Sequence, residues 1–438
     1  MIIVDKALAE RERQHKPIRI GVVGAGYAAR GVIHQLLTPL TGMRLVAICN
    51  RTPANALKRL AEKGHNSAKV VETAAALSRA VNAGECVVTS SLEALCQSDA
   101  IDVIVDVTGQ VEFGALVATT AIEHGKHLVL VNAELDTTLG PILKHKADAA
   151  GVIISNTDGD EPGVAMNLLR FVRTIGYRPV MAGNIKGFVD VHRNPDTQRA
   201  FATSVGQEPP MITSFADGTK LAMEATILAN ATGLRVGTRG MFGHRCDHVN
   251  DIIKHFSADD LLQQPLVDFA LGAQPGNGAF VVGYNDEPVK QQYMKYFKMG
   301  DGPLYVFYTP FHLPHLEVAV TIARAALFGD AAVSPLGGPV CDVVAVAKRN
   351  LSVGETLDGI GGFTCYGQIV NADATRAERL LPMGLSVNCR MLRDVPQDQP
   401  LTYDDVEVPA GRLSDALRAE QNQLFAPAGS PRQPVAVT

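Results

Sequence analysis

The stretch Ile-Arg-Ile-Gly-Val-Val-Gly-Ala-Gly-Tyr-Ala-Ala-Arg-Gly, residues 18–31, determines the fold of the N-terminal part of the chain. Its first six residues predict a buried strand, after which the chain turns on Gly24 and enters a helical stretch. The turn has the pattern Gly24-x-Gly26-x-x-Ala29, in which Gly26 lets backbone amides approach a pyrophosphate and Ala29 lets the helix pack close to the strand. The helix N-terminus adds N–H donors and the positive end of its dipole. This context predicts a dinucleotide site.

The type of dinucleotide is indicated by the segment after the second predicted strand, residues 44–49. NAD-binding chains usually place a carboxylate there for the ribose 2′-hydroxyl, whereas this chain has Asn50-Arg51-Thr52. Arg51 could pair with a 2′-phosphate through two hydrogen bonds, so we expect NADP(H) in preference to NAD(H). The alternative is an arginine on a solvated loop. The residues expected to contact the cofactor in these two segments are Gly24, Gly26, Tyr27, Ala28, Asn50 and Arg51.

Strand and helix patterns alternate from residue 18 to about residue 156, which predicts an α/β domain with a doubly wound parallel sheet of the Rossmann type. Ligands in such sheets lie beyond the carboxyl ends of the strands. Two further strand ends, 106–109 and 131–134, therefore become candidates for the nicotinamide half. The alternative is ordinary turn chemistry, in which Gly and Asn close a strand. The candidate residues at these two ends are Thr108, Gly109, Asn132 and Glu134.

Composition narrows the class of protein further. The chain has 438 residues, enough for two or three domains, and its net charge of −5 gives no basic surface for nucleic acid. No apolar run approaches the length of a membrane span, and the charged N-terminus, expected to be helical, lacks a signal-peptide core. Seven scattered cysteines without a CxxC pair suit a reduced compartment, so we expect a cytoplasmic protein.

The pattern changes after Asn156 and predicts three further regions. Residues 157–336 mix short strands, Gly-rich loops and helices, as expected for an α+β substrate and oligomerisation domain that follows a dinucleotide-binding domain at 1–156, with an N-terminal extension at 1–16. Residues 337–425 have short strands and many turns, which indicates a small β-rich domain. The Pro- and Ala-rich tail, residues 426–438, is predicted to be disordered.

An acidic turn opens the second region, with Asp158, Asp160 and Glu161 in four residues. Three carboxylates so close repel one another unless a cation or a shared proton compensates. They could therefore hold a divalent cation or a substrate hydroxyl. The alternative is a solvated turn that caps the next helix, where acidic residues are favoured anyway. Both interpretations stay open for Asp158, and the binding of a cation or substrate is the favoured interpretation for Asp160 and Glu161.

The segment from Ser214 to Gly233 contains a second group of candidates. We expect a strand, a tight turn at Asp217-Gly and then a helix on which Lys220 and Glu224 share one face. A lysine that faces a carboxylate in a cleft is a workable acid/base pair. The alternative is a surface ion pair. Together the expected catalytic residues are Lys220, Asp160, Glu161, Glu224 and Asp217.

A proline-rich loop supplies a third group, with His312, His315 and Glu317 ahead of a helix at 318–328. Two histidines near a carboxylate could bind metal or move protons, but a structural loop explains them equally well. The pairs at 192–193 and 244–245, each His-Arg, are weaker candidates for an anionic substrate. The residues proposed to contact substrate are Lys186, Asn230, Thr232 and His312.

The whole chain resembles the homoserine-dehydrogenase-like oxidoreductases that carry a C-terminal SAF (antifreeze-like) domain. The resemblance rests on seven segments and on an SAF-like opening at 344–348 and 351–355. These seven segments are 24–26, 101–109, 125–129, 160–162, 217–220, 229–233 and 302–305. Some members are similar to a second type of 1-deoxy-D-xylulose 5-phosphate reductoisomerase, which isomerises a ketose phosphate and reduces the resulting aldehyde with NADPH.

The resemblance implies an NAD(P)-dependent oxidoreductase that acts on a small phosphorylated or acidic polyol or sugar, in isoprenoid or carbohydrate metabolism. It also implies a homo-oligomer, a dimer or a tetramer, and help from Mg²⁺ or Mn²⁺, for which the candidate ligands are Asp160, Glu161 and Glu224. The chain departs from the reductoisomerase pattern around 183–207 and at 162–164. The alternatives are a plain dehydrogenase of a homoserine-like or sugar-acid substrate and a non-catalytic NADP(H)-sensing protein.

Overall fold

The computed structural model of the protein describes residues 3–427, so residues 428–438 of the predicted tail lie outside it. The chain forms two compact units. The first unit runs to Asp160 and resumes from Leu313 to Ser334, and the second comprises Glu161–His312 and the chain from Pro335 onward. Among residues 3–427, no helix combines the length and the apolar composition that a bilayer crossing requires.

The strands of the described residues form one large sheet, one medium sheet and two small pairs. The seven strands of the first unit are β1 (Ile18–Val23), β2 (Met43–Cys49), β3 (Lys69–Val70), β4 (Val87–Thr89), β5 (Val103–Asp106), β6 (His127–Leu130) and β7 (Ile154–Asn156). The eight strands of the second unit are β8 (Arg178–Lys186), β9 (Leu266–Leu271), β10 (Ala279–Tyr284), β11 (Leu304–Thr309), β12 (Cys341–Ala347), β13 (Cys365–Asn371), β14 (Arg390–Met391) and β15 (Val406–Glu407).

Helices connect and cover these sheets. Those of the N-terminal part are α1 (Asp5–Arg13), α2 (Tyr27–Leu36), α3 (Pro53–Ala61), α4 (Ala74–Asn82), α5 (Leu92–Gln97), α6 (Val111–Glu123) and α7 (Ala133–Ala149). The remaining α-helices are α8 (Glu161–Thr174), α9 (Pro195–Val205), α10 (Pro209–Ala216), α11 (Thr219–Thr232), α12 (Ala258–Gln263), α13 (Pro288–Tyr296), α14 (Pro314–Ala323), α15 (Ala372–Ala377) and α16 (Leu413–Leu424). Shorter helical turns cover Val249–His255, Arg324–Phe328, Met383–Leu385 and Tyr403–Asp405.

The large sheet of the first unit has the strand order β3-β4-β2-β1-β5-β6-β7, and its pairs are parallel. Its central strand β1 is almost wholly buried, and each fully buried Ile or Val contributes about 1.5–3 kcal/mol. Helix α2 buries Ala29, Val32, Ile33 and Leu36, the spacing of one helical face. This architecture confirms the predicted Rossmann-type α/β class.

Helix α14 completes the core of the first unit from a distant part of the sequence. Its side chains Val318, Ile322 and Ala323 belong to the same buried cluster as strand β1 and helix α2. Directly after it, the buried guanidinium of Arg324 pairs with Asp158 and Asp330. Residues 314–330 are therefore part of the dinucleotide-type unit although they lie more than 150 residues after its last strand.

The second unit contains a mixed sheet in the order β11-β10-β8-β9. Strand β10 is antiparallel to β8 and β11, and β8 is parallel to β9. Helix α8 packs on β8 and β10, and helix α11 packs on the antiparallel pair β12–β13. This second sheet and the small antiparallel pairs confirm the predicted α+β and β-rich regions, whereas the SAF-like identity and the predicted domain boundaries stay predictions.

Two element predictions need correction. The segment before Asp217 was expected to be a strand and is helix α10, whose first turn holds Pro209 and Pro210, a position that suits proline because no N–H is needed there. The sequence pattern also predicts a helix over 140–150, whereas helix α7 begins at Ala133. The side chain of Asn132 accepts a hydrogen bond from the Leu135 amide and so caps this earlier start.

Candidate functional site

The glycine turn of the first unit has the geometry of a phosphate site. Gly24 has φ +114° and a Cβ there would lie 2.9 Å from the Val107 carbonyl oxygen, so the position requires glycine. A Cβ on Gly26 would meet no atom within 4 Å, which leaves open space beside the turn. Gly26 is also the N-cap of α2, and no side chain caps the amides of that helix. These amides fit the pyrophosphate of a dinucleotide.

The segment after β2 lies exposed beside this turn. The side chain of Asn50 donates to the Thr52 carbonyl at 2.8 Å, which shapes the loop and leaves Arg51 exposed. Arg59, on α3, donates from Nε to the Ala25 carbonyl oxygen at 3.2 Å and from Nη1 to Glu62 at 2.8 Å. Arg59 was not predicted, because nothing in its local sequence connects it with the glycine turn.

The ends of β5 and β6 form one polar network. Asp106 is fully buried, and its carboxylate accepts from the amide and hydroxyl of Thr108 at 2.9 and 2.7 Å and from Asn132 Nδ2 at 2.9 Å. Burial raises the pKa of Asp106, although these hydrogen bonds oppose the rise. The structure thus brings Thr108 and Asn132 together, with Gly109 beside them at φ +61° and Glu134 buried in the first turn of α7.

Asp158 has a different surrounding from that expected of a ligand-binding turn. Its carboxylate pairs with Arg324 and accepts from the Thr321 hydroxyl at 3.0 Å, and all three side chains are buried. A buried carboxylate with these partners holds the turn to the end of α14. This placement supports the structural interpretation of Asp158.

The second unit brings together candidates that are far apart in the sequence. Lys186, the last residue of β8, places Nζ 2.6 Å from Glu161 Oε1 and 3.2 Å from Glu224 Oε2. Asn184, two residues earlier on the same strand face, donates to Glu224 Oε2 at 2.8 Å. Glu161 and Glu224 are each 1% exposed, and the Lys186 side chain is 19% exposed. We call Glu161, Asn184, Lys186 and Glu224 the lysine–carboxylate cluster.

The charges of the cluster stabilise one another. Burial opposes the ionised form of Glu161, but the Lys186 ammonium and the His312 ring hold its pKa below the ordinary range. Burial likewise opposes the ammonium of Lys186, while the two carboxylates raise its pKa above the usual value. His312 Nδ1 lies 2.6 Å from Glu161 Oε2. The cluster therefore holds a persistent ammonium, and the predicted Lys186, Glu161, Glu224 and His312 meet at one place.

One N–H of the Lys186 ammonium has no partner within the described part of the chain. The other two are directed at Glu161 and Glu224, and Lys186 Nζ makes no further hydrogen bond among residues 3–427. A partly exposed ammonium with one spare donor can bind an oxygen atom of a ligand.

Lys220 lies in the first turn of α11, one turn before Glu224, so the predicted helical spacing of this pair is confirmed. Its side chain is half-buried, which differs from a fully solvated surface lysine. The preceding Gly218 has φ +81°, a conformation that favours glycine. The turn at 217–219 thus fixes where Lys220 begins the helix. Asp160 is the residue directly before Glu161 and is also half-buried.

Asp217 is completely buried and paired with a lysine that sequence reasoning missed. Lys348 Nζ lies 2.9 Å from Asp217 Oδ2 and 2.7 Å from the Gly362 carbonyl oxygen. Asp217 Oδ1 accepts from the Thr219 amide at 2.9 Å. Burial raises the pKa of Asp217, and Lys348 opposes the rise. The residues are 131 apart in sequence, so no local signal could connect them.

Asn230 and Thr232 lie at the far end of α11 and serve the backbone. Asn230 Oδ1 accepts from the amides of Val340 and Cys341 at 2.8 and 3.1 Å. The Thr232 hydroxyl donates to the Leu228 carbonyl at 2.6 Å. The Asn230 side chain therefore ties α11 to the chain at 340–341, whereas the Thr232 hydroxyl bonds within the helix, and the structure does not bring either to the lysine–carboxylate cluster. Their predicted role in substrate binding stays untested.

Comparison with known proteins agrees with this arrangement. The family described as "Homoserine dehydrogenase, NAD binding domain" matches residues 24–155, and the family described as "Oxidoreductase DRL, catalytic domain" matches residues 159–318. The first match contains the glycine turn, and the second contains the lysine–carboxylate cluster. No curated protein matches the chain by sequence.

Several solved structures are similar in part. Scyllo-inositol dehydrogenase from Lactobacillus casei, with bound NAD(H) and scyllo-inositol, is 14% identical over 61% of this chain and 74% of that chain, with a TM-score of 0.36. The WlbA dehydrogenase from Bordetella pertussis, in complex with NADH and UDP-GlcNAcA, is 19% identical over 42% of this chain and 50% of that chain, with a TM-score of 0.30.

The two family matches and the phosphate-site geometry lead to one conclusion. Residues 24–155 are similar to the NAD-binding domain of homoserine dehydrogenase, and residues 159–318 are similar to the catalytic domain of the oxidoreductase DRL. This protein is therefore an NAD(P)-dependent oxidoreductase.

Proposed function

We propose that the protein catalyses reversible NADP(H)-dependent reduction of a carbonyl group on a small acidic, phosphorylated or polyol substrate. The observation that carries this proposal is the spare N–H of Lys186, held between two buried carboxylates in the oxidoreductase domain. The preference for NADP(H) is supported by Arg51, which is exposed after β2 at the position where NAD-binding chains usually carry a carboxylate.

The residues of the first unit would hold the cofactor by its phosphates. The amides that open α2 would receive the pyrophosphate, and Arg51 would pair with the 2′-phosphate. The network of Asp106, Thr108 and Asn132 would line the nicotinamide half, because it lies at the carboxyl ends of β5 and β6. When bound, the nicotinamide supplies or accepts the hydride.

Lys186 would act on the substrate oxygen. Its ammonium is too weak an acid to lose its proton readily, since the neighbouring carboxylates raise its pKa. It would instead donate its third N–H to the carbonyl oxygen and stabilise the negative charge that develops there. Glu161 and Glu224 would fix the position of Nζ, and Asn184 would hold Glu224. Lys220, at the start of α11, is the proposed proton donor to the resulting alkoxide.

A divalent cation bound by Asp160, Glu161 and Glu224 is the less favoured arrangement. The position between Glu161 and Glu224 already contains the Lys186 ammonium, which balances their charge. A cation there would have to displace Nζ, and two positive charges at this distance repel one another. We therefore propose that Lys186 provides the electrostatic assistance that a metal ion would give as a Lewis acid.

Reductoisomerisation and simple dehydrogenation are two separate proposals for the reaction, and one panel of substrates can distinguish them. Reductoisomerase activity requires a ketose phosphate such as 1-deoxyxylulose 5-phosphate, whereas a plain dehydrogenase would oxidise or reduce homoserine-like compounds, sugar acids or polyols without rearrangement. A homo-oligomeric state, a cytoplasmic location and a place in isoprenoid or carbohydrate metabolism stay predictions.

The test follows NADPH consumption by its absorbance band, with purified protein and each substrate class, and repeats the oxidative direction with NADP⁺. We expect turnover with at least one acidic, phosphorylated or polyol substrate and a lower KM for NADPH than for NADH. Binding of NADPH without turnover across the panel in either direction would refute the proposed substrate classes. Equal use of NADH would refute the cofactor preference.

A further inference from the structure

We propose that the C-terminal β region positions the proton donor Lys220, through an ion pair between Lys348 and Asp217. Lys348 is the residue directly after β12, and Asp217 begins the turn that leads into α11. The role of Lys220 as proton donor rests on the proposed function. The packing around the ion pair is independent of that function.

Two hydrogen bonds from residues of the C-terminal region hold the turn at 217–219. Lys348 Nζ donates to Asp217 Oδ2 at 2.9 Å and to the Gly362 carbonyl at 2.7 Å. The Thr219 hydroxyl accepts from the Gly367 amide at 2.8 Å. The contacts of Asp217 with Lys348 and of Thr219 with Gly367 each join residues more than 100 positions apart in sequence. The C-terminal region therefore fixes the start of α11 directly.

The packing at this junction leaves little room for movement. A Cβ on Gly367 would lie 2.8 Å from Thr219 Cγ2 and 2.7 Å from Val343 Cγ1, so strand β13 approaches the turn closely. The side chains of Asp217 and Lys348 are 0% and 3% exposed. An ion pair excluded from water is shielded from screening and strongly prefers one geometry.

Lys220 follows this anchored turn by one residue. Asp217 caps the turn by accepting from the Thr219 amide, and Gly218 accepts the Ala222 amide as the first helical bond. Any shift of Asp217 thus moves the first turn of α11, and with it the base of the Lys220 side chain. A displacement of about 1 Å at a reacting group can cost about 10²-fold in rate. Asp217 and Lys348 are accordingly positioning residues.

The test compares the full-length protein with K348M, with the charge-balanced double variant D217N/K348M, and with R349M. Arg349 is the neighbouring residue, and its exposed side chain pairs with Glu355, so R349M is the matched control. The first readout is the rate at which acetic anhydride labels Lys220, measured by peptide mass spectrometry. The exposed Lys298 of the same unit is the internal reference.

We expect Lys220 labelling to rise several-fold in K348M and in the double variant, with Lys298 labelling and R349M unchanged. With a substrate that the wild type reduces, kcat should fall on the order of tenfold in the double variant while KM changes less than about twofold. The double variant avoids leaving a buried unpaired carboxylate, so it is the decisive protein if K348M fails to fold.

Unchanged Lys220 labelling in the folded double variant would overturn the proposal, as would an equal rise at Lys298. A wild type without turnover on the panel would refute the proposed function only. The labelling result would then still decide whether the C-terminal region holds Lys220.

Discussion

Lys186 Nζ lies 2.6 Å from Glu161 Oε1, although the two residues belong to different elements, the end of β8 and the start of α8. Glu224, which lies on a third element, α11, contacts the same ammonium at 3.2 Å. A lysine held on two sides in this way has little freedom to move, so its remaining N–H points in a defined direction. This preorganisation is what electrostatic catalysis requires.

Replacing Lys186 by Met should lower kcat on the order of 10²–10³-fold, because the charge that stabilises the developing oxyanion is removed. NADPH affinity should stay unchanged, since no residue of the glycine turn is altered. Steady-state kinetics and NADPH fluorescence titration check the two parts. Lys254→Met is the matched control, because Lys254 pairs with Asp251 on the surface of the same unit.

The single variant removes the ammonium that two buried carboxylates share, which can cost about 3–5 kcal/mol of stability. The double variant Lys186→Met/Glu224→Gln reduces that penalty, and its thermal unfolding should show a folded protein. If this folded double variant kept wild-type kcat, Lys186 would have no part in the reaction.

Chelation should not abolish activity. The Lys186 ammonium already occupies the place between Glu161 and Glu224 that a divalent cation would need. Activity measured after exhaustive dialysis against EDTA should equal that of untreated enzyme, and added Mg²⁺ or Mn²⁺ should change it less than about twofold. Loss of activity on chelation and its recovery with one of these ions would contradict the proposal and restore the cation hypothesis.

Arg51→Ala should weaken NADPH binding by about tenfold or more and leave NADH binding unchanged. A charge-assisted hydrogen bond contributes about 1.5–3 kcal/mol, and only NADPH has the 2′-phosphate that would receive it. Titration of both cofactors gives the two dissociation constants. Arg79→Ala is the control, since Arg79 is an equally exposed arginine of the same unit, on α4. An equal loss for both cofactors would show that Arg51 does not contact the 2′-phosphate.

Asp136→Asn should stabilise the protein at high pH only. Burial, with a further contribution from Asp160, raises the pKa of Asp136 from 3.8 to about 7. The folded state therefore keeps a proton that the unfolded state has lost, so the free energy of unfolding falls as pH rises through that window and is constant above it. This difference in pKa between the folded and unfolded states lowers the free energy of unfolding of the wild type by at most ~4 kcal/mol.

The measurement is the unfolding midpoint of wild type and Asp136→Asn at about pH 3 and about pH 8, where the linkage effect is nearly absent and nearly complete respectively. The variant should match the wild type at the lower pH and exceed it at the higher pH. Asp148→Asn is the control, because Asp148 lies on the same helix with 59% of its side chain exposed. A pH-independent difference would mean that Asp136 does not titrate in this range.

The fold of the first unit was predictable because its signals are local. The mostly apolar run at 18–23 and the i, i+3, i+4 spacing from Ala29 to Leu36 each lie within one element. The errors arose where a single residue decides an element. Asn132 starts α7 seven residues early through one capping bond, and Pro209 starts a helix where apolar residues suggested a strand.

Most residues of the site were predictable from the sequence, but Asn184 and the contacts between the residues were not. Glu161, Lys186, Glu224 and His312 were each identified as polar residues in suitable contexts. Their meeting depends on how β8, α8 and α11 pack, which no residue spacing encodes. Lys348 was missed for the same reason, since its partner Asp217 lies 131 residues away. Charged residues whose partners are distant carry no local signature.

The first unit is built from two separate segments of the sequence, and this has a consequence for its folding during synthesis. A nascent chain that has reached Asp160 has all seven strands of the large sheet but lacks α14, whose Val318 and Ile322 fill its core, and Arg324, which neutralises Asp158. Residues 161–312 must be translated first, which takes roughly 8–30 s at roughly 5–20 residues per second. During this time the part of α2 that packs against α14 has no cover. The first unit therefore cannot finish folding until Ser334 has been synthesised, when residues 161–312 of the second unit are already present.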